Sequence, residues 1–404
     1  MTLRCVEMFA GAGGLALGLD AAGIEHEAII EWDQDACTTL RENRRNGVQP
    51  ICDWPEVIQG DVRRFDFSTA RGIDLITGGP PCQPFSLGGK HRAFLDERDM
   101  FPAAINAVRV ARPRAFLFEN VRGLTRTTFS NYFSYILLQL EFPDLVARKR
   151  EPWMDHLARL ERHKTKGAES EYHVVSRVLD AADYGIPQRR ERVFIVGLRK
   201  DLGREFSFPK QTHSYEGLLH SQWISGEYWE KNRVAKKNRP IVSEQLRSKI
   251  DGLRDVYPSL LHRPWNTVRE AIGDLPDPER TPLSKSPQAH KFQPGARAYV
   301  GHTGSSLDEP AKALKAGDHG VPGGENMLRR SDGSVRYFTV RECARIQTFP
   351  DDYLFVGSWT ETMRQLGNAV PVGLGACVGK AVSAKLRVSK RSTANGQSEK
   401  IKVH

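Results

Sequence analysis

An apolar run, RCVEMFA (residues 4–10), passes directly into GAGGLALGLDAAG, and the latter reads as a helix opened by glycines. A glycine cluster at that junction restricts the chain to a strand, a tight turn and a helix, because glycine alone accepts left-handed backbone and close approach at little cost. Gly11, Gly13 and Ala16 satisfy the spacing G-x-G-x-x-G/A, and Glu31 stands 20 positions beyond Gly11. Further buried-strand patterns follow at HEAIIE (26–31), VIQGD (57–61), DLITGG (74–79) and RAFLFEN (114–120), with amphipathic segments such as 33–46 and 99–111 between them. YHVVSRVLDA (172–181) and RVFIVGLR (192–199) supply another strand pair. The alternation predicts an α/β fold with a doubly wound parallel sheet and helices on both faces.

In such a sheet ligands sit at the carboxyl ends of the strands. The glycine loop lets backbone approach a ligand there. Glu31, ending the second strand, is placed for both hydroxyls of a ribose, and Asp61, ending the third, for an adenine edge. An adenosine-containing ligand is expected. The loop alone leaves NAD and S-adenosyl-L-methionine both open.

GGPPCQPFS (78–86) follows the fourth strand. Pro80 and Pro81 fix φ and remove two donors, so the strand ends and Cys82 projects from a stiff base. The polar, glycine-containing stretch after it reads as a loop that closes over a substrate. A thiol beside a sulfonium methyl donor has a specific use. C5 of cytosine becomes nucleophilic only after a thiolate adds to C6, with a proton or hydrogen bond at N3 to hold the developing charge. Glu119, at a neighbouring strand end, is the candidate partner for N3. Arg190 and Arg192 of QRRERV (188–193) are candidate cations, and they point to one side if 190–194 is extended.

The chain of 404 residues carries a net charge of +10, which favours a polyanionic partner. The six cysteines (5, 37, 52, 82, 343, 377) show no metal-ligand spacing, so reduced thiols and no metal are expected. No signal architecture and no membrane-length apolar run is read, and a cytoplasmic protein is the expectation. The pattern divides into a catalytic domain over 1–200, interrupted by a charged surface insertion at 143–170 and completed by 360–388. A second, irregular domain covers 201–359 and includes the basic run KNRVAKKNR (231–239). Thr339 and Glu342 form a capping box that starts a helix stopped by Pro350. Residues 389–404 read as a basic, disordered tail.

FAGAGG, the GD at 60–61, PPCQPFS, ENV, QRRER, RECARIQTFP and QLGNAVP, in this order, resemble the DNA (cytosine-5)-methyltransferases of bacterial restriction–modification systems. The resemblance covers nearly the whole chain except 143–170 and most of 201–335. It implies a Rossmann-like S-adenosylmethionine-dependent methyltransferase domain with a smaller target-recognition domain. It implies that Cys82 is the nucleophile, that Glu119 engages N3 and the exocyclic amine, and that Arg190 and Arg192 line the base pocket. Cofactor contacts implied are Phe9, Gly11, Gly13, Gly14, Leu15, Glu31, Trp32, Asp61, Val62, Pro80 and Asn368. The implied partner is double-stranded DNA with the target base flipped out, bound by a monomer associated with the nucleoid, and a cognate restriction endonuclease acting on the same site. A tRNA cytosine-5 methyltransferase and a catalytically silent DNA-binding regulator are the rival readings.

Overall fold

The computed structural model describes residues 2–81, 99–203, 205–300, 303–316 and 326–399. The chain forms two compact units, one of residues 1–179, 192–209 and 375–404 and the other of 180–191 and 210–374.

The first unit begins with β1 (Leu3–Met8), α1 (Gly14–Asp20), β2 (Ile24–Glu31), α2 (Gln34–Arg45), β3 (Ile58–Gln59), β4 (Leu75–Gly78), α3 (Phe101–Ala111) and β5 (Ala115–Val121). Then come α4 (Ser130–Glu141), α5 (Trp153–Thr165) and β6 (Tyr172–Asp180), and, after a two-residue β7 (Gln188–Arg189), the long β8 (Glu191–Arg199). The seven-stranded sheet has the order β3-β2-β1-β4-β5-β8-β6. Strands β3 through β5 are parallel, as their apolar runs predict, and all four residues of β4 are buried. Strand β8 departs from an all-parallel sheet, running antiparallel to β5 with Val121 opposite Arg192. Only residues 181–190 separate β6 from β8, too few for the helical crossover that a parallel return requires.

Phe116, Phe118, Ile76 and Met8 of the sheet pack with Phe101, Ala104 and Val108 of α3 and with Ile136 and Leu140 of α4. Full burial of each large side chain contributes about 2–3 kcal/mol before entropy is counted. Leu157 and Leu160 join the same core, and Trp153 packs against it. The segment 143–170 is therefore not a surface excursion. Its residues 153, 157 and 160 recur at helical spacing and give α5 an apolar stripe that closes on the core.

The chain returns to this unit through α12 (Val372–Glu399). Gly18 of α1 meets α12 so closely that a Cβ on it would lie 2.6 Å from the Ala376 nitrogen. Backbone of α12 is helical through Glu399 where composition suggested a structureless tail; no proline interrupts it after Pro371. Residues 359–388 include an 18-residue run apolar enough to cross a membrane, yet 56% of that run is buried inside the protein.

The second unit holds short helices: α6 (Tyr215–Trp223), α7 (Glu227–Lys231), α8 (Glu244–Asp251), α9 (Val268–Ile272), α10 (Val340–Ile346) and α11 (Trp359–Asn368). Its strands are short as well. β9 (His213–Ser214) pairs β10 (Arg263–Pro264), β12 (Ala311–Lys312) pairs β7, and β11 (Ser305–Ser306), β13 (Met327–Arg329) and β14 (Val335–Tyr337) form a three-stranded sheet. Leu218, Tyr228, Trp229 and Trp265 form a small core, and the Arg189 guanidinium lies 5.0 Å from the Trp265 ring centre. The capping box opening α10 is present. The Glu342 amide donates to Thr339 Oγ1 at 3.1 Å and the Thr339 amide to Glu342 Oε2 at 2.8 Å.

Candidate active site

The carboxyl ends of β1, β2, β4 and β5 bring together most of the residues that the sequence singles out. After β1, Phe9, Gly11 and Gly13 all take positive φ (56°, 54° and 77°). A Cβ on Gly13 would meet Leu40 Cδ2 at 2.9 Å, whereas a Cβ on Gly11 would meet nothing within 4 Å. The turn is thus packed from behind at Gly13 and open at Gly11, as a loop that presents backbone to a ligand must be.

Glu31 ends β2 and fastens this loop. Its Oε2 accepts from the Gly11 amide at 2.6 Å, and Oε1 accepts from the amides of Trp32 at 2.8 Å and Asp33 at 2.7 Å. Burial raises the carboxyl pKa, and the three amides oppose that rise. Next to it the Trp32 ring is 70% exposed, a flat apolar face at the strand end. Asp61 caps the turn Val62–Arg64 through the Arg63 amide, and Arg63 Nε lies 3.0 Å from its Oδ1. That guanidinium holds the carboxyl below its usual range.

Five of the expected cofactor residues, Gly13, Gly14, Leu15, Val62 and Pro80, are buried. Leu15 packs in α1 next to Gly375 of α12, Val62 belongs to the main core, and Pro80 is closed in under Asn120. Gly14 opens α1 and is buried. Asn368, the last residue of α11, is exposed and belongs to the second unit.

Strand β4 ends at Gly78, and Gly79, Pro80 and Pro81 follow it. Asn120 Nδ2 donates to the Pro80 carbonyl at 2.8 Å, and the Met100 amide donates to the Pro81 carbonyl at 3.0 Å. The stiff base that two prolines predict is thus also tied from both flanks. Cys82 itself, and the loop expected over 86–98, lie outside the described residues. Sequence reasoning took ENV as a strand end and missed the clamp by Asn120; its side-chain amide in a strand leading to a cleft was the available signal.

Glu119 is 7% exposed. Arg192 Nε contacts Glu119 Oε1 at 2.9 Å, and the two residues are diagonal neighbours on one face of the β5–β8 pair. Burial draws the Arg192 guanidinium below its usual pKa, while the charge of Glu119 opposes this. A Cβ on Gly79 would lie 3.2 Å from Glu119 Oε2, so the glycine leaves room beside that oxygen.

Arg190 has a different setting. It precedes β8, is fully buried, and donates to the carbonyls of Leu314 at 2.8 Å and Gly367 at 2.6 Å. Gln188 joins the same network, its Oε1 accepting from the Leu314 amide and its Nε2 donating to Gln347 Oε1. Gln347 in turn donates to the Leu366 carbonyl at 2.6 Å. Gln188 and Arg190 of QRRER, Gln347 of RECARIQTFP and the Leu366–Gly367 backbone of QLGNAVP are therefore laced together inside the second unit. The guanidinium of Arg190 holds backbone, and that of Arg192 faces a carboxylate.

A profile of the family described as C-5 cytosine-specific DNA methylase matches residues 3–144 and 154–384. Type II methyltransferase M.PspPI of Psychrobacter sp. strain TA137 is 34% identical over 396 residues, covering 96% of this chain and 80% of that one. Type II methyltransferase M.NgoMIV of Neisseria gonorrhoeae is 33% identical over 387 residues, covering 96% and 99%. Among solved structures, the S. pombe Dnmt2 methyltransferase is similar with a TM-score of 0.52 at 18% identity, over 96% of this chain and 99% of that one. The Entamoeba histolytica methyltransferase EhMeth is similar with a TM-score of 0.55 at 13% identity, with the same coverage. These two likenesses concern the fold. The profile and the sequence relatives show that the chain is an enzyme of the C-5 cytosine-specific DNA methylase family, of the restriction–modification type.

Proposed function

We propose that this chain transfers the methyl group of S-adenosyl-L-methionine to C5 of a flipped-out cytosine in a specific double-stranded DNA site, through a transient bond between Cys82 and C6. The observation that carries the reading is the Glu119–Arg192 pair at the end of β5, beside the clamped Pro80–Pro81 base from which Cys82 follows. The open face at Gly11, the fastened Glu31 and the exposed Trp32 fit an adenosine-bearing ligand. When bound, the cofactor supplies an electrophilic methyl group. Glu31 would take ribose hydroxyls, Trp32 a face of the adenine and Asp61 its amino edge, with Phe9, Gly13 and Gly14 shaping the loop.

The rest is done by side chains of this chain. The Cys82 thiolate bonds to C6 while a proton from Glu119 moves to N3, which leaves C5 nucleophilic. Once C5 is methylated, water takes the C5 proton as the sulfur leaves C6 as thiolate, and the N3 proton returns to Glu119, which restores the aromatic ring. Arg192 holds Glu119 in place and carries positive charge at the pocket. Arg190 contributes by fixing the backbone at Leu314 and Gly367. The second unit would read the DNA, its exposed Arg233, Lys236 and Lys237 meeting phosphates. Methylation would protect the host's own sites from a cognate endonuclease, and the enzyme would act as a monomer.

The test offers labelled S-adenosyl-L-methionine with duplex DNA and, separately, with tRNA. Label should enter DNA, and bisulfite sequencing should place it at cytosines in one sequence context. Transfer to tRNA alone would overturn the proposal, as would full activity of a Cys82→Ala variant.

A further inference from the structure

The segment 143–170 has no part in the chemistry above, yet it completes a cavity of about 460 Å³ in the first unit. One wall is a stripe of α3 with Phe101, Ile105 and Arg109, and the second is a stripe of α4 with Tyr132, Tyr135 and Gln139. The third wall is Leu145, Val146 and Ala147. The family profile matches up to 144 and again from 154, so this third wall lies in the stretch that the profile leaves unmatched.

The wall is held firmly by α5. His156 Nε2 lies 2.7 Å from the Leu145 carbonyl, and Arg159 donates to the Val146 carbonyl at 2.7 Å. Arg159 also grips Glu151 through Nε at 2.9 Å, and Glu151 Oε2 accepts from the Arg148 amide at 2.7 Å. The loop from 145 to 151 is thus wound on one arginine. The second nitrogen of His156 meets the Tyr135 hydroxyl at 2.8 Å, which joins the third wall to the α4 wall. Such a cavity is preformed, and its volume lies within the range of small-molecule sites.

The lining chooses a ligand class. Aromatic and aliphatic side chains dominate it and suit flat rings. Two charged groups line it. Asp99 already accepts from the Phe101 amide at 3.1 Å and from the Tyr132 hydroxyl. Arg109 donates to Asn106 Oδ1 at 2.5 Å and pairs with no carboxylate among the described residues. The charge available to a ligand is therefore positive. We propose that the cavity between α3, α4 and the 145–147 wall binds a small aromatic anion, with its rings against Phe101, Tyr132 and Tyr135 and its charge at Arg109. At the far end the occupant would press on Asp99, the neighbour of Met100, whose amide clamps the Pro81 carbonyl ahead of Cys82. The site is placed to influence the segment that carries the nucleophile.

Two probes with the same rings test this, 8-anilinonaphthalene-1-sulfonate and its uncharged relative N-phenyl-1-naphthylamine, followed by fluorescence titration of the full chain. The sulfonate should bind one per chain and about ten-fold more tightly than the uncharged probe, as one partly buried charge contact implies. Arg109→Glu should remove that preference and leave the uncharged probe unaffected. Val146→Trp, at a residue that is 51% exposed and can change without opening the core, should block both probes while the melting temperature stays put. Binding of several sulfonates per chain, equal affinity for the two probes, or unchanged binding in both variants would overturn the proposal. None of these readings depends on methyl transfer.

Discussion

Arg192 Nε lies 2.9 Å from Glu119 Oε1 across two antiparallel strands, at the strand end where the proposed chemistry needs a proton donor with a fixed direction. Both side chains are largely withdrawn from water, so the guanidinium fixes the carboxyl group more firmly than a surface ion pair would. Glu119→Gln keeps the shape and removes the transferable proton. Turnover should fall by roughly 10²–10³, the scale for losing one preorganised group, while DNA affinity changes little. Single-turnover transfer of labelled methyl, set beside a DNA binding titration, checks both halves.

Arg192→Lys retains the charge and loses the planar fork that aims Nε at Glu119. Turnover should drop by about ten-fold or more, with the melting temperature nearly unchanged. Arg190→Lys should behave in the opposite way. A single ammonium cannot replace two diverging donors to the Leu314 and Gly367 carbonyls. Leaving one buried carbonyl unsatisfied costs about 1–3 kcal/mol, so the loss should appear first in thermal unfolding. Two arginines two positions apart are thereby separated by readout.

The difference between these arginines marks what the sequence could convey. The strand–glycine turn–helix at β1 and α1 was legible because periodicity and glycine spacing are local, and the capping box at Thr339 and Glu342 for the same reason. The place of Glu119 near the end of β5 was legible because the apolar run RAFLF stops at it. Arg190 was expected beside Arg192 because an extended strand would aim both to one side, yet the strand begins only at Glu191. Its true partners, Leu314 and Gly367, are 124 and 177 positions away, a separation no local pattern encodes. The 143–170 segment read as surface for a similar reason. Its charge count is high, but Leu157 and Leu160 count for more once α4 supplies a surface to bury them.

The contact of α1 with α12 gives a stability prediction. Side-chain volume on Gly18 would run into backbone of Gly375 and Ala376, at 2.6–2.8 Å, and backbone cannot rotate away. Gly18→Leu should destabilise the first unit by about 1–3 kcal/mol or more, despite the better helix propensity of leucine. Gly60→Ala is the control. A Cβ there meets nothing within 4 Å, and its unfolding midpoint should match the parent.

Beneath the glycine loop Cys5, Glu7 and His26 form a buried group whose protonation sets a pH dependence. His26 Nε2 lies 3.1 Å from the Ala16 carbonyl and must carry the proton, so Nδ1 is the lone-pair nitrogen facing Cys5 Sγ at 3.2 Å. Burial holds His26 down to about 4 and pushes Glu7 up to about 8, so both are neutral in the fold near neutrality. Glu7 Oε2 lies 3.8 Å from Nδ1 with no hydrogen-bond partner, so no donor at that oxygen offsets the burial that raises the acid. The two groups act in different windows. Lowered below its ordinary value of 6.5, His26 stabilises the fold above that pH and loses this as pH falls toward 4. Raised above its ordinary 4.5, Glu7 supports the fold at low pH and loses this as pH rises through about 8. Between pH 6.5 and 8 the Glu7 contribution is the one of the two still changing. Glu7→Gln, which keeps the size and cannot ionise, should flatten the decline of stability in that interval. The variant should gain on the parent by on the order of 1 kcal/mol or more at the alkaline end. Chemical denaturation of both proteins at closely spaced pH values reads the difference directly, and parallel curves from pH 6.5 to 8 would show that Glu7 is already ionised in the fold.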